Sequence, residues 1–170
     1  MKSIVILTLD FPPTFIGGIS AWSSDLADAL HSAGHRVTVV AKAVGNTQKH
    51  DEAKPYPIVR APGRSWATWQ SVWMWWTARD FIQENTVVIA ATWTLMPRLL
   101  PCIKKRRAVL CSAFHGSEIT TLVQPPTSLL AVVEASHHLF PVSAFLGREL
   151  HRLGCASESD PRLTVLPMPL

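Results

Sequence analysis

The sequence predicts an α/β domain built on a doubly wound, mostly parallel sheet. Two β-rich apolar runs, at 3–9 and 37–41, flank a helical period in a β-loop-α-β unit of about forty residues. Further runs of the same kind follow at 87–91 and 108–114. These strands are nearly continuous in apolar letters rather than alternating, which suits strands covered on both faces. The chain has 170 residues, 48% apolar and 16% charged, enough for one sizeable core and too apolar for disorder.

Residues 3–9 form the first strand, and 11–18 a loop rich in Pro and Gly. From 19 to 33, Ile19, Trp22, Leu26, Ala29 and Leu30 share one helical face, and Gly34 stops the helix. Residues 37–41 are the second strand, 46–54 a polar loop and 58–61 a short third strand. A Trp-rich helix is expected from 66 to about 84, then a strand at 87–91. A helix confined by Pro97 and Pro101 covers 96–105, and a strand covers 108–114. Helix 128–136, strand 139–142 and helix 144–153 follow, with Ser143 as cap and Gly154 as stop. Residues 163–166 are a candidate last strand, for six or seven in all.

Charge and cysteine usage exclude several classes. Sixteen Lys and Arg against twelve Asp and Glu leave +4, without the basic arm that marks a nucleic-acid binder. Cys102, Cys111 and Cys155 are scattered, with no CxxC, which fits a reducing cytoplasm and gives no disulfide framework or cysteine zinc site. No helical His pair suggests a metal, and no cofactor is called for. The apolar run before Asp10 is too short for a signal peptide, and no run is long enough for a transmembrane helix.

Ligands of open parallel sheets sit beyond the carboxyl ends of the strands. Three such segments carry chemistry here: 10–20, 91–94 and 115–118. Gly17-Gly18 directly precedes a helix, where backbone N–H groups can face a phosphate; a plain tight turn is the competing reading. GxGxxG, GxxxxGK[ST] and GxSxG are all absent. Asp10 can bond loop amides or simply form a turn. His115 can hydrogen-bond a ligand or simply end a strand, and Glu118 can cap the next helix or reach a substrate.

The runs FPPTFIGGISAW (11–22), LADALHSAGHRVTVVA (26–41), FHGSEI (114–119), PVSAFLGREL (141–150) and LTVLPMPL (163–170) occur in order. Together they resemble the N-terminal half of the group-1, family 4 glycosyltransferases, retaining enzymes with two Rossmann-like domains in the GT-B fold. The resemblance implies a nucleotide-diphosphate sugar as donor and a glycan or lipid-linked acceptor. It implies that Gly17 and Gly18, with Ile19 and Ser20, lie near the donor diphosphate and acceptor. His115 would lie near the transferred sugar, followed by Gly116 and the acidic Glu118. The chain departs from the family at Pro167-Met168-Pro169-Leu170, where a Pro-Asn-Gly-Val-Asp-like run is usual, and at His137, where an Asp is common. Residues 1–170 are expected to be one acceptor-side domain, inactive without a C-terminal donor-binding domain. A nucleotide-sugar epimerase relative and a stand-alone binding or targeting module for a separate catalytic chain are the alternatives.

Trp66, Trp69, Trp73 and Trp76 form one helical stripe, with Met74 and Trp75 off it. Such a stripe is more often core than surface. The flanking Arg60, Arg64 and Arg79, and the basic cluster of Arg98, Lys104, Lys105, Arg106 and Arg107, support the other reading. On that reading the Trp face docks on an anionic inner leaflet or holds a hydrophobic acceptor.

Overall fold

The computed structural model describes residues 1–13, 17–62 and 67–167, with the backbone alone over 67–71. Six strands, β1 (Ser3–Thr8), β2 (Arg36–Lys42), β3 (Ile58–Ala61), β4 (Val87–Ala90), β5 (Val109–Phe114) and β6 (His138–Pro141), form one sheet in the order β3-β2-β1-β4-β5-β6. Every pairing is parallel. The sheet grows leftward from β1 and then rightward from β1, so right-handed crossovers put the helices of the two halves on opposite faces.

The alternation of β1 shows both faces. Ile4 and Ile6 join Trp22 and Ala27 of α1 (Gly18–Ser32) in one core cluster. Val5 and Leu7 join the other, with Met74 and Ala78 of α3 (Ala67–Ala78), Ile103 of α4 (Leu100–Arg106), Val132 of α6 (Thr127–Ala135) and Leu150 of α7 (Ala144–Arg152). Burial on both sides explains why the strands read as continuous apolar runs.

Local signals set the boundaries. Gly34 (φ 83°) and Gly154 (φ 69°) adopt the left-handed conformation just past α1 and α7, where glycine is favoured. Ser143 caps α7, its hydroxyl accepting from the Leu146 N–H at 3.2 Å.

Several expectations are corrected. Part of the polar stretch 46–54 is helical, as α2 (Gln48–Glu52), which buries none of its residues. The Trp-rich helix ends at Ala78, not near 84. The helix expected over 96–105 begins only at Leu100, as the short α4, after a 3-10 turn at Trp93–Leu95, because Pro97 and Pro101 cannot donate inside a longer helix. Residues 163–166 do not widen into a strand. They run beside β6 through one bridge, Leu139 to Leu163, and the Thr164 and Leu166 N–H groups donate to Leu139 O and Pro141 O at 2.9 and 3.0 Å.

The two described members of the Trp stripe, Trp73 and Trp76, lie on the outer side of α3. Met74 and Ala78 are fully buried, whereas Trp73 and Trp76 are 43% and 49% exposed. Hydrophobicity on all sides of a helix leaves its orientation open, and here the smaller Met-Ala side lies closest to the sheet. Among the described residues, no helix is long and apolar enough to cross a membrane.

Candidate functional site

In this strand order the direction of winding reverses between β1 and β4, and the crevice at their carboxyl ends is the expected ligand position. The exits of β1, β4 and β5 bring the site residues there. At the β1 exit the Thr8 hydroxyl donates to the Asp10 carbonyl at 2.8 Å, and the Ser23 hydroxyl of α1 donates to Thr8 Oγ1 at 3.2 Å. These bonds tie the first turns of α1 to the end of β1. Burial raises the Asp10 carboxyl above its ordinary value, opposed by the charge of Lys42.

Gly17 is the N-cap of α1 with φ 87° and ψ −174°, a conformation essentially reserved for glycine. It offers no capping side chain, and the first turn of α1 carries no acidic residue. The positive end of the α1 dipole therefore has no carboxylate from its own first turn. Gly17 and Gly18 are exposed, Ile19 is half-buried against the core, and Ser20 is fully buried.

His115 immediately follows β5 and is only 6% exposed. The Trp22 ring meets it edge-on, with centroids 5.3 Å apart at 85°. One turn of α1 separates Trp22 from Gly18 and Ile19, so the imidazole lies beside the start of that helix. Among the described residues neither ring nitrogen has a hydrogen-bond partner. Burial pushes its pKa down to about 4; the nearby Ala91 backbone opposes this without completing a bond of normal geometry. The ring is therefore neutral at pH 7, with one N–H donor and one bare nitrogen acceptor.

Glu118 turns back toward His115 rather than outward. Gly116, exposed, is the N-cap of α5 (Ser117–Thr120), and Glu118 lies in its first turn. One carboxylate oxygen accepts the His115 backbone N–H at 2.9 Å, and the other accepts the Thr92 hydroxyl. The Thr92 and Thr94 hydroxyls are 3.1 Å apart. Burial pushes the Glu118 carboxyl up to about 7, against the pull of these two donors. Its role is structural in the first instance: it joins the exits of β4 and β5 and fixes the backbone from which His115 projects.

Trp22 and Thr92 are members of this site that the sequence did not single out. Trp22 was legible only as a core residue of α1, and Thr92 only as a letter after a strand.

The residues of the Trp face are elsewhere, on α3 and at the end of α4. The Arg79 guanidinium lies 3.3 Å from the Trp76 ring centroid, and Arg106 is exposed in the last turn of α4. Arg60 does not belong to this face. Its side chain is 11% exposed and engaged with Asp51. Trp66 and Arg64 lie outside the described residues, as does the side chain of Trp69. Among the described residues, no group of three or more His, Cys, Asp or Glu is placed to hold a metal ion.

The family description Glycosyltransferase Family 4 matches residues 16–168. Among solved structures, HepE of Anabaena, in complex with UDP and glucose, aligns with a TM-score of 0.67 at 14% identity. That alignment covers 100% of this chain and 45% of HepE. The catalytic domain of Arabidopsis thaliana starch synthase IV, bound to ADP and acarbose, gives 0.70 at 12% identity, covering 99% of this chain and 52% of the synthase. UDP-GlcNAc 2-epimerase from Methanocaldococcus jannaschii gives 0.59 at 15% identity over 97% of this chain and 45% of the epimerase. No curated protein matches the sequence. The chain thus spans about half the length of the solved structures it matches, and it shares with them the Rossmann-like fold of a GT-B N-terminal domain. With the family match running from the loop before α1 to the segment beside β6, the chain belongs to Glycosyltransferase Family 4.

Proposed function

We propose that this chain is the acceptor-side domain of a retaining glycosyltransferase that moves a sugar from a nucleotide-diphosphate donor to a glycan or lipid-linked acceptor. The observation that carries this reading is the approach of a buried imidazole, His115, unbonded among the described residues, to the amino end of α1, whose first turn has no acidic residue, at the switch point. A helix amino end turned toward a leaving diphosphate stabilises the charge that develops as the glycosidic bond breaks. The neutral imidazole suits a hydrogen bond to a hydroxyl of the transferred sugar or of the acceptor. Glu118 and Thr92 fix the backbone from which that ring projects, and Gly17 and Gly18 add no side chains of their own at the helix start.

A second domain would hold the nucleotide and close the crevice, so the 170-residue chain alone is expected to be inactive. Product analysis on the full-length protein, supplied with nucleotide sugars and candidate acceptors, tests the reading. A new glycoside with the donor's anomeric configuration supports it. Conversion of the nucleotide sugar to its epimer without a glycoside transfers the assignment to an epimerase. Absence of both, with capture of a separate catalytic chain, points to a binding module.

The acceptor side has its own support. Exposed Trp73 and Trp76, the latter stacked with Arg79, supply an aromatic and cationic patch, and the end of α4 that includes Arg106 supplies further basic residues. Such a surface suits a peripheral protein on the inner, anionic leaflet of a membrane, reached from the cytoplasm. Flotation with vesicles containing acidic lipid at low salt tests this. Binding that is lost with neutral lipid supports it, and no binding at low salt removes it.

A further inference from the structure

The loop that leads from β1 to Gly17 is clamped at its start by one guanidinium. Arg60 projects from β3, two strands away from β1 in the sheet. Its Nε and Nη2 donate to the two carboxylate oxygens of Asp51 at 2.9 and 2.6 Å. Nη2 also donates to the Pro12 carbonyl at 2.5 Å, and Nη1 lies at 3.5 and 3.4 Å from the carbonyls of Phe11 and Lys42. The Phe11 ring, fully buried, lies under the same guanidinium with its centroid 5.5 Å away. Asp51 is held in turn by the Thr47 hydroxyl at 2.9 Å and approached by His50 Nδ1 at 3.1 Å. Burial alone would raise the Asp51 carboxyl, but the donors from Arg60, His50 and Thr47 hold it below its ordinary value.

The planar fork of arginine supplies five N–H donors in fixed directions. Here they join three pieces of chain: the exit of β1, the end of β2 and the short helix α2, whose His50 ring also meets the Phe11 ring edge-on at 6.2 Å. Since α2 buries none of its residues, hydrophobic packing does not explain its position. Asp51 ties it to β3 through Arg60. Phe11 and Pro12 stand at the head of the segment that ends in Gly17, the residue whose conformation starts α1.

We infer that Arg60 and Asp51 are positioning residues for the phosphate side of the crevice, fixing where Phe11 and Pro12, at the head of the chain that leads to Gly17, leave the sheet. This rests on the transferase reading for its consequence in catalysis, although the clamp itself does not. Lysine cannot replace the fork, because a single ammonium cannot reach a carboxylate and three carbonyls in different directions.

Two measurements on Arg60→Lys and Asp51→Asn separate the clamp from the reading it rests on. In the isotope-labelled chain, backbone order parameters of Phe11 and Gly17 are compared with those of β4 and β5. The expected result is a fall at Phe11 and Gly17 from about 0.85 toward 0.6, with the strands unchanged. Unchanged values at the loop, or an equal fall everywhere, overturn the clamp. Asp51→Asn keeps the size of the side chain and serves if Arg60→Lys does not fold. In the full-length protein, well below its melting temperature, transfer should lose about tenfold or more in kcat in Arg60→Lys, with a smaller change in donor KM. A wild-type protein that forms no glycoside defeats the transferase reading, while the order parameters still decide the clamp. Wild-type kcat in a variant whose loop has loosened overturns the positioning role.

Discussion

Two polar side chains, the mostly buried Arg60 and the buried His115, stand at the same carboxyl edge of the sheet and are treated in opposite ways. Arg60, on the β3 side, is directed at a carboxylate and three carbonyls. His115, on the β5 side, has no partner on either nitrogen among the described residues. A buried polar group without a partner costs roughly 1–3 kcal/mol, whereas one with its partners costs little. The Arg60 region is thus arranged as scaffold. The His115 region keeps an uncompensated cost at the place where a ligand would remove it.

The largest effect expected from this contrast is at Arg60. Arg60→Met removes the cation from the Asp51 carboxylate and the donors from the carbonyls of Phe11 and Pro12, and breaking such a pair from one side costs about 3 kcal/mol or more. Urea unfolding should show it as a lower midpoint with an unchanged slope. The Arg60→Met/Asp51→Leu double variant should recover part of the loss, and no recovery would mean that the pair is not the source.

A middle-sized effect is expected from pH. The raised pKa of Glu118, from 4.5 to about 7, means that the folded state binds this proton more tightly than the unfolded chain. Its contribution to stability therefore falls as pH rises from 4.5 toward 7. His115, lowered from 6.5 to about 4, acts in the reverse sense: its contribution is lost as pH falls through that interval. Between pH 4.5 and 6.5 the two slopes oppose each other. Glu118→Gln should remove the falling one, so that stability rises more steeply with pH than in the wild type. Parallel curves for the two proteins would show that Glu118 is not protonated in the fold.

The smallest effect on stability is expected where the effect on function is greatest. His115→Phe keeps the ring against Trp22 and removes two unbonded nitrogens, so unfolding should change by no more than about 0.5 kcal/mol, or move in the stabilising direction. Transfer by the full-length protein should nonetheless drop about a hundredfold. A large loss of stability in His115→Phe would place His115 with Arg60 as scaffold and erase the contrast.

The fold was legible because both of its signals are local. Parallel strands covered on both faces leave unbroken apolar runs, and Gly34 and Gly154 mark helix ends through a backbone conformation that only they adopt easily. The motif glycines and His115 were legible through their position after strands and through family resemblance. Arg60 with Asp51 was not, because their meeting depends on how α2 sits against β3, and α2 has no apolar face that a sequence could show. The orientation of α3 stayed open for a related reason: a helix with Trp on one side and Met and Ala on another offers two apolar faces, and the fold buries Met74 and Ala78. Trp22 illustrates a third limit. Its helical position was read correctly, but its contact with His115 joins residues far apart in the chain.

The strand order also sets a timetable for synthesis. β1 is made first and ends as a central strand, with β2 on one edge and β4 on the other. The first edge is occupied as soon as β2 emerges, whereas the second waits for β4, which begins at Val87. At about 5–20 residues per second, that edge of β1 stays open on the ribosome for several seconds. An unpaired, flat, apolar strand edge is a template for pairing with another chain. The left half of the sheet, with Arg60 already seated at its top, is therefore complete while its inner border is still exposed, and the interval before β4 arrives is when a nascent chain of this design most needs chaperone cover.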